Sequence, residues 1–442
     1  MKCWLTLLLL GVVAVRAETV SFTRDVAPIF RKRCNACHKP GKEKGGLDLT
    51  THSAILRGGK HGAIFTAGKP DAAKLMEAIS GPNPEMPKDD DPLGVAQVSL
   101  IRRWIEEGAK DDTPATNAKL QVPVYTAAPV LRALAFSPGD EWLAVSGVHE
   151  VILLNATNHA PVARLIGSAP RIESFEFSPD GKLLAVAAGN PGTLGQIQIW
   201  DCASARQLHG YDVSYDSVYG VHWSPDATRL AFGCADKTAR IIQAADGKEL
   251  VRFDQHSDWV WGAVFVDDGK RIVSGSRDRS LKLIDAATGA LVDLVNRDSE
   301  PIVCLAKHPK ENWVVFGSEV RPRLYKAQQK ADNIDPGLDP NAIREFEHYN
   351  EGVTAVAFSP DGQYLASTGT PPGEVRVHNV SNAQKRATLP GHQGPVFALS
   401  FSADGARLAT AGFEGRVRVF DWAKQQLLTN LVPVTVEATK AK

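Results

Sequence analysis

Of its 442 residues the chain spends only six on cysteine and three on methionine, and its charges favour neither sign, with Lys plus Arg and Asp plus Glu each totalling 50. That balance removes any composition-level reason to expect nucleic acid or an acidic membrane surface as a partner. Cysteine this sparse excludes a disulfide-stapled scaffold. Past residue 17 there is no long unbroken apolar run, so no membrane span is expected in the mature chain. What is present is a chain of 43% hydrophobic content, long enough for two folded cores.

The first residues, MKCWLTLLLLGVVAVRA, combine Lys2, an apolar run from Cys3 to Val15, and small residues at Val15 and Ala17. This pattern predicts a secretory signal peptide over residues 1–17, cut after Ala17, and hence a periplasmic or otherwise exported protein. The run is shorter than the roughly 20 apolar residues that span hydrocarbon, which argues against an uncleaved anchor. No Cys follows the cut, which argues against a lipoprotein.

Cys3 leaves with this segment and Cys202, Cys234 and Cys304 are scattered, so Cys34 and Cys37 form the one close pair, in RCNACHKP. A zinc site would need a second Cys or His pair at ligand spacing, and none follows. A thioredoxin-like dithiol would follow a strand, whereas this pair follows the helix-like stretch FTRDVAPIFRKR. Cys-x-x-Cys-His is instead the attachment pattern of c-type haem, with a chance expectation on the order of 0.002 for this composition. Cys34 and Cys37 would bond the two vinyl groups on one edge of the porphyrin, and His38 would be the proximal ligand.

An electron-transfer haem needs a second axial ligand, and only Met76 and Met86 remain in the mature chain. Met76, in DAAKLMEAI, is spaced with Ala72, Ala73 and Ile79 on a helical apolar face and reads as core. Met86 lies in the polar loop GPNPEMPKDDDP, where packing gives no reason for it, so it is the preferred sixth ligand; His52 and His61 are the alternatives. Val26, Ile29 and Phe30 before the motif, and Val98, Ile101, Trp104 and Ile105 before Gly108, predict the first and last helices of a small helical domain.

The stretches SFTRDVAPIFRKRCNACHKP, GGLDL, AGKPDAAKL, EMP and LIRRWIEEGA, in that order, resemble the planctomycete-type cytochrome c domain over roughly residues 20–110. The resemblance implies one haem c on Cys34, Cys37 and His38, with Met86 as sixth ligand. PLGVAQ departs from the usual Thr-Pro-Glu-Glu start of the last helix, which weakens a helix cap and leaves the ligands untouched.

After a polar linker, KDDTPATNAKL, the pattern changes to short strands around Pro-Asp-Gly turns, as in SFEFSPDGKLLAVAAG and AVAFSPDGQYLASTG. Anchors at Val130, Ile172, Val218, Val260, Ile302, Val353 and Val396 are separated by 42, 46, 42, 42, 51 and 43 residues. Seven repeats at this period predict a seven-bladed β-propeller. The repeats resemble the WD-repeat family: Trp200-Asp201 matches the WD dipeptide, Gly391-His392 the Gly-His start, and Asp236 and Asp278 the structural Asp, which Glu414 replaces in the last repeat. That resemblance implies loop faces for protein docking. His222, His256, His308, His378 and His392 are scattered over the repeats, with His256 and His392 where the family uses structural His; no catalytic grouping is visible among them. Cys202, Cys234 and Cys304 read as small buried residues. The insertion after Tyr325, KAQQKADNIDPGLDPNAIREFEHYN, is a partner-contact candidate.

The expectation is therefore a multidomain protein: signal peptide 1–17, a small all-α cytochrome c-like domain over 18–110, linker 111–120, an all-β seven-bladed propeller over 121–435 and a tail over 436–442. It would carry single electrons to or from a redox partner protein while the propeller docks a partner, with no nucleic acid involved. An oxidoreductase with a substrate site on the propeller and a haem-based sensor or scaffold are the rival readings.

Overall fold

Ser21 sets the start of the first helical segment. Its hydroxyl accepts the Arg24 amide at 2.9 Å and its carbonyl accepts the amides of Asp25 and Val26 at 3.0 and 3.3 Å. A π-helical turn, Phe22–Val26, thus leads into helix α1, Ala27–Arg33. Pro28 sits in the first turn of α1, where its missing N–H is no loss, and Arg31, Lys32 and Arg33 end it, where cations suit the negative pole of the helix. Helix α2, His52–Arg57, is capped by the Thr51 hydroxyl, which accepts the Ala54 amide at 3.2 Å. Helices α3, Lys74–Ile79, and α4, Val95–Glu106, complete the unit.

The cap of α4 is supplied by Gln97, whose Oε1 accepts the Gly94 amide at 3.0 Å. This half of a capping box does the work that the missing Thr-Pro-Glu-Glu start left open. The helix stops at Gly108, whose φ of +99° an L side chain would resist. Its inner face buries Ile101, Trp104 and Ile105 completely. Trp104 stacks on Phe22 at 5.4 Å between centroids, meets Phe65 edge-on at 5.3 Å, and donates its Nε1–H to the Lys110 carbonyl at 3.0 Å.

The computed structural model describes residues 19–35, 37–39, 43–88, 90–112, 122–297, 300–329, 339–369 and 373–437. The expected signal peptide, most of the expected linker, the centre of the insertion after Tyr325 and the end of the tail lie outside them. The chain divides into two compact units, Met1–Ala115 and Thr116–Lys442.

The second unit is all β among the described residues, apart from one short 3-10 turn, Asp267–Gly269. Its strands form sheets of seven, eight, four, four and four. In the seven-stranded sheet the long strand Pro161–Phe177 pairs by its first half with Val148–Asn155 and by its second half with Leu183–Asn190. In the eight-stranded sheet two antiparallel groups meet through a single parallel bridge between Gly220 and Gly262. The innermost strands follow one another in a ring, from Leu134–Phe136 through to Val396–Phe401, which lies back against Leu134–Phe136. This is a propeller-type arrangement of mostly antiparallel sheets.

The repeated Ser-Pro-Asp-Gly turns have a common mechanism. Buried Ser178 donates its hydroxyl to Asp180 at 2.6 Å and accepts the Leu183 amide at 3.0 Å, and Ser359 does the same with Asp361 and Tyr364 at 2.6 and 2.9 Å. The second strand of a repeat, such as Leu184 to Ala188, is buried on both faces because it lies between neighbouring sheets. Near its end stands a glycine where other backbone comes close: a Cβ on Gly233 would strike the Val260 carbonyl of the next group, and one on Gly412 the Pro395 carbonyl at the start of its own partner strand.

Candidate functional site

The Cys34–His38 segment is a tight turn off the end of α1. The Cys34 and Asn35 amides still bond the Phe30 carbonyl, at 2.8 and 2.9 Å, and the Cys37 and His38 amides both donate to the Cys34 carbonyl at 3.1 Å. Beyond it the Lys44 amide donates to the Cys37 carbonyl, and the Leu49 amide to the His38 carbonyl, each at 3.0 Å. The turn thereby turns both thiols and the imidazole toward one space, a cavity of about 450 Å³, within the range of cofactor sites. Leu47, Leu49, Ile64, Leu75 and Ile79 supply its apolar walls.

Met86 lines the same cavity from the opposite stretch of chain, where its amide donates to the Ala78 carbonyl at 2.8 Å and holds the loop against the end of α3. His61 lines it as well, exposed on the loop between Gly58 and Gly62. His52 does not. It is buried beside Phe22 and Trp104, donates Nε2–H to the Ala109 carbonyl at 2.8 Å, and has Nδ1 3.4 Å from Asp111. Of the two alternatives to Met86, only His61 therefore reaches the cavity. Met76 is packed in the core.

The chemistry of the walls fits a haem. Cys34 and Cys37 are unpaired thiols. Burial pushes the Cys34 thiol up to about 11, against a smaller opposing effect of Arg33, so at neutral pH it is not the thiolate of a redox dithiol. The Nδ1 of His38 is buried without a hydrogen-bond partner, so protein hydrogen bonding does not occupy that ring nitrogen. Two thiols, an imidazole and a thioether are donors suited to porphyrin and iron. No three of His, Cys, Asp and Glu converge as a bare-ion site among the described residues. The apolar walls and the basic residues at the mouth were not read as site residues from sequence, although the run RKRCNACHKPGKEK carries the basic signal openly.

In the second unit His256, His308 and His392 hold turns and strands together. His256 donates Nδ1–H to Asp278 at 2.8 Å and accepts the Ser274 hydroxyl at 2.7 Å. His392 accepts from Arg418 and donates to Thr410, both at 2.7 Å, while Glu414 takes Arg418 at 2.8 Å, doing with a longer side chain what Asp278 does for its neighbours. His308 stands where other repeats have the turn Ser: its Nδ1 accepts the Lys310 and Glu311 amides at 3.2 and 2.9 Å, and its Nε2–H reaches the Gly362 carbonyl at 3.1 Å. His222 lies 3.4 Å from Glu176 and buried His378 lies 3.5 Å from Glu347. Cys202 and Cys234 are buried as expected; Cys304 is half-buried and lines the central channel, its thiol pushed up to about 12 by burial.

That channel encloses about 930 Å³. Near the starts of the innermost strands it is lined by Arg132, Glu173, Tyr219 and Trp261. Tyr219 and Trp261 lie 4.5 Å apart and Trp259 closes the group at 5.9 Å from Trp261, with Arg277 over its ring at 5.3 Å. Burial raises the Glu173 carboxyl although Arg132 and Arg171 hold it at 3.0 and 3.2 Å. This aromatic group was missed in the sequence; its signal is the alternation of Trp259 and Trp261 in DWVWG.

Comparison with known families matches residues 34–90 to the model described as Planctomycete cytochrome C. Residues 247–285, 341–378 and 383–421 match the WD domain, G-beta repeat, and 134–224 match the Anaphase-promoting complex subunit 4 WD40 domain. Similar proteins include Pre-mRNA-processing factor 19 of Oryza sativa subsp. japonica, 40% identical over 19% of this chain and 15% of its own length. WD repeat domain phosphoinositide-interacting protein 2 of Gallus gallus is 38% identical over 20% of this chain and 21% of its own. Target of rapamycin complex subunit wat1 of Schizosaccharomyces pombe is 35% identical over 18% and 25%. The chain thus spans a quarter or less of the length of these curated relatives. It joins a planctomycete cytochrome C-like domain to a WD-repeat region.

Proposed function

We propose that this is an exported electron carrier with one covalently bound haem c, whose WD-repeat unit docks a partner protein. The observation that carries the reading is the meeting of Cys34, Cys37, His38 and Met86 on one apolar cavity. Haem c bound there would supply a one-electron iron couple. Cys34 and Cys37 would hold it through thioethers, and His38 and Met86 would donate to its iron. Leu47, Ile64, Leu75 and Ile79 keep water from the cavity and lower its polarity, and such burial tunes the potential. The Leu49 amide on the His38 carbonyl and the Ala78 carbonyl on the Met86 amide fix the two donor-bearing loops.

Seven blades are part of the proposal. The strand Pro161–Phe177 serves as outer strand of one four-stranded group and inner strand of the next, and the eight-stranded sheet is two groups of four. With the three four-stranded sheets, this division supports a count of seven. Protein docking is supported by the WD-repeat matches and by the exposed Trp259 with Tyr219, Trp261 and Arg277, the residue types that dominate interface energetics. The buried Nε1–H of Trp261 lacks an acceptor, which suits a surface completed by a partner. Export rests on the N-terminal segment, and the N-terminal residue of the mature protein tests it: Glu18 is expected.

The deciding experiment is the visible spectrum of the exported protein with a denaturing gel stained for haem. Haem that survives denaturation, a weak Met-to-iron band when oxidised, and no response of the reduced protein to carbon monoxide are expected. Covalent haem that binds carbon monoxide would favour the sensor or oxidoreductase readings, and absence of haem would overturn the proposal.

A further inference from the structure

The channel of the second unit carries chemistry that docking around exposed Trp259 does not use, since Trp259 does not line it. Arg132, Glu173, Tyr219, Trp261 and Phe397 occupy corresponding positions on successive innermost strands. Glu173 precedes by four residues Phe177, which pairs with Leu184, and Trp261 likewise precedes Phe265, which pairs with Ile272. Arg132, Tyr219 and Phe397 stand in the same relation to Phe136, Trp223 and Phe401. Around the ring the order is therefore Phe397, Arg132, Glu173, Tyr219, Trp261, an ion pair with aromatic residues on both sides. Val303 and Thr354 complete it.

The charges that line the channel balance, Arg132 and Lys307 against Glu173 and Glu176. The Glu173 side chain is only 5% exposed and is held by Arg132 and Arg171 at 3.0 and 3.2 Å. A cationic ligand would meet these guanidinium groups and an anionic one the buried carboxylate, so neither charge is selected. A hydroxyl suits both partners, because one oxygen donates to a carboxylate and accepts from a guanidinium. The wall itself already uses hydroxyls in this way. Ser174 donates to the Tyr219 carbonyl at 3.3 Å and accepts the Val221 amide at 3.1 Å, Thr354 donates to the Val396 carbonyl, and Ser400 accepts the Phe136 amide at 3.0 Å. These bridges between neighbouring innermost strands take up edge groups on which an extended peptide would pair.

We propose that this channel binds a neutral saccharide chain, with sugar rings against Tyr219 and Trp261 and hydroxyls bonded to the Arg132–Glu173 pair. A pyranose has an apolar C–H face and a rim of hydroxyls, which matches aromatic faces set beside a polar pair. The Nε1–H of Trp261, buried without an acceptor, adds a donor for a sugar oxygen. The volume of about 930 Å³ lies at the upper end of small-molecule sites. The inference goes beyond the electron-carrier and protein-docking readings and rests on neither.

The test is isothermal titration calorimetry of the full-length protein with cellohexaose, xylohexaose and maltohexaose. At least one should bind, with an affinity that is the same at about 20 mM and about 200 mM salt, since a neutral ligand has no charge to screen. Trp261→Ala should weaken that binding at least about tenfold. Glu173→Gln keeps the shape of the side chain and should also weaken it about tenfold, while gaining affinity for oligogalacturonate, because Arg132 and Arg171 then lack their carboxylate. Leu291→Ala, on the outer strand Leu291–Leu294, should stay within about twofold of wild type. Near-UV circular dichroism like that of wild type shows that each variant is folded. Binding of none of the three oligosaccharides, or wild-type affinity in both Trp261→Ala and Glu173→Gln, would overturn the proposal. So would tighter binding of wild type to oligogalacturonate, or capture of the protein on a random-peptide array by the channel in place of the sugars. Haem attachment is read separately from the visible spectrum, so either reading can fail alone.

Discussion

Three histidines of the first unit look alike in sequence and are separated by their surroundings. His38 lines the cavity with a buried, unpartnered Nδ1, His61 lines it from an exposed loop, and His52 is committed to Ala109 and Asp111. Met86→Ala should therefore lower the haem potential by on the order of 0.1 V, a modest part of the roughly 0.8 V that axial ligands span, as read by redox titration. An unchanged potential would remove Met86 from the ligand set. His52→Ala should leave the spectrum as it is and cost about 1–3 kcal/mol in chemical denaturation, because it strands a buried carbonyl and opens space beside Trp104. Cys-x-x-Cys-His was legible because the motif is written within five consecutive residues. The exclusion of His52 was not, because it depends on Ala109, 57 residues away.

At the scale of the element, repeats that differ in sequence use equivalent hydrogen bonds. Ser178 and Ser359 close their turns through a hydroxyl, and His308 closes its own through an imidazole nitrogen. Ser178→Ala should cost about 1–3 kcal/mol, since the Leu183 amide then loses its buried acceptor. Gly412→Ala places a methyl group against the Pro395 carbonyl and the Val396 backbone, and should cost about as much by overpacking. Thermal unfolding of each variant checks both, and a Gly412→Ala protein as stable as wild type would mean that the Pro395 backbone can give way. The turn motif was readable in the sequence; the close approach at Gly412 was not, because it brings the end of one strand against the start of its partner, 17 residues earlier in the chain.

Across the second unit, buried histidines give stability a common dependence on pH. Burial lowers the pKa values of His256, His308, His378 and His392, and for His392 burial together with the nearby Arg418 brings it to about 4. Each ring is harder to protonate in the fold than in the unfolded chain, so the unfolded state takes up protons first as pH falls. The stability that neutral His392 confers is complete above its unfolded value near 6.5 and is lost as pH drops toward 4, by about 3 kcal/mol at most. Urea midpoints measured from pH 7 to pH 4 should fall over that window, and His392→Gln should flatten the fall. A midpoint independent of pH in wild type would show that the ring remains solvated.

The sequence by itself determined what depends on local order: the Cys-x-x-Cys-His spacing, the helical periods at either end of the first unit, and a strand–turn–strand pattern repeating every 42 to 51 residues. Each is written within a few residues or in a fixed period, so it survives without knowledge of the fold. Only the tertiary structure decided which donors share a cavity, because Met86, Leu47 and Ile64 come together with Cys34 around one common core. It likewise decided that the long strand Pro161–Phe177 serves two neighbouring pairings, that Trp259 and Trp261 meet Tyr219 at the channel, and that basic residues far apart in the chain surround one opening. Contacts between distant segments are set by how apolar faces are buried together, and that leaves no signature in any single stretch of sequence.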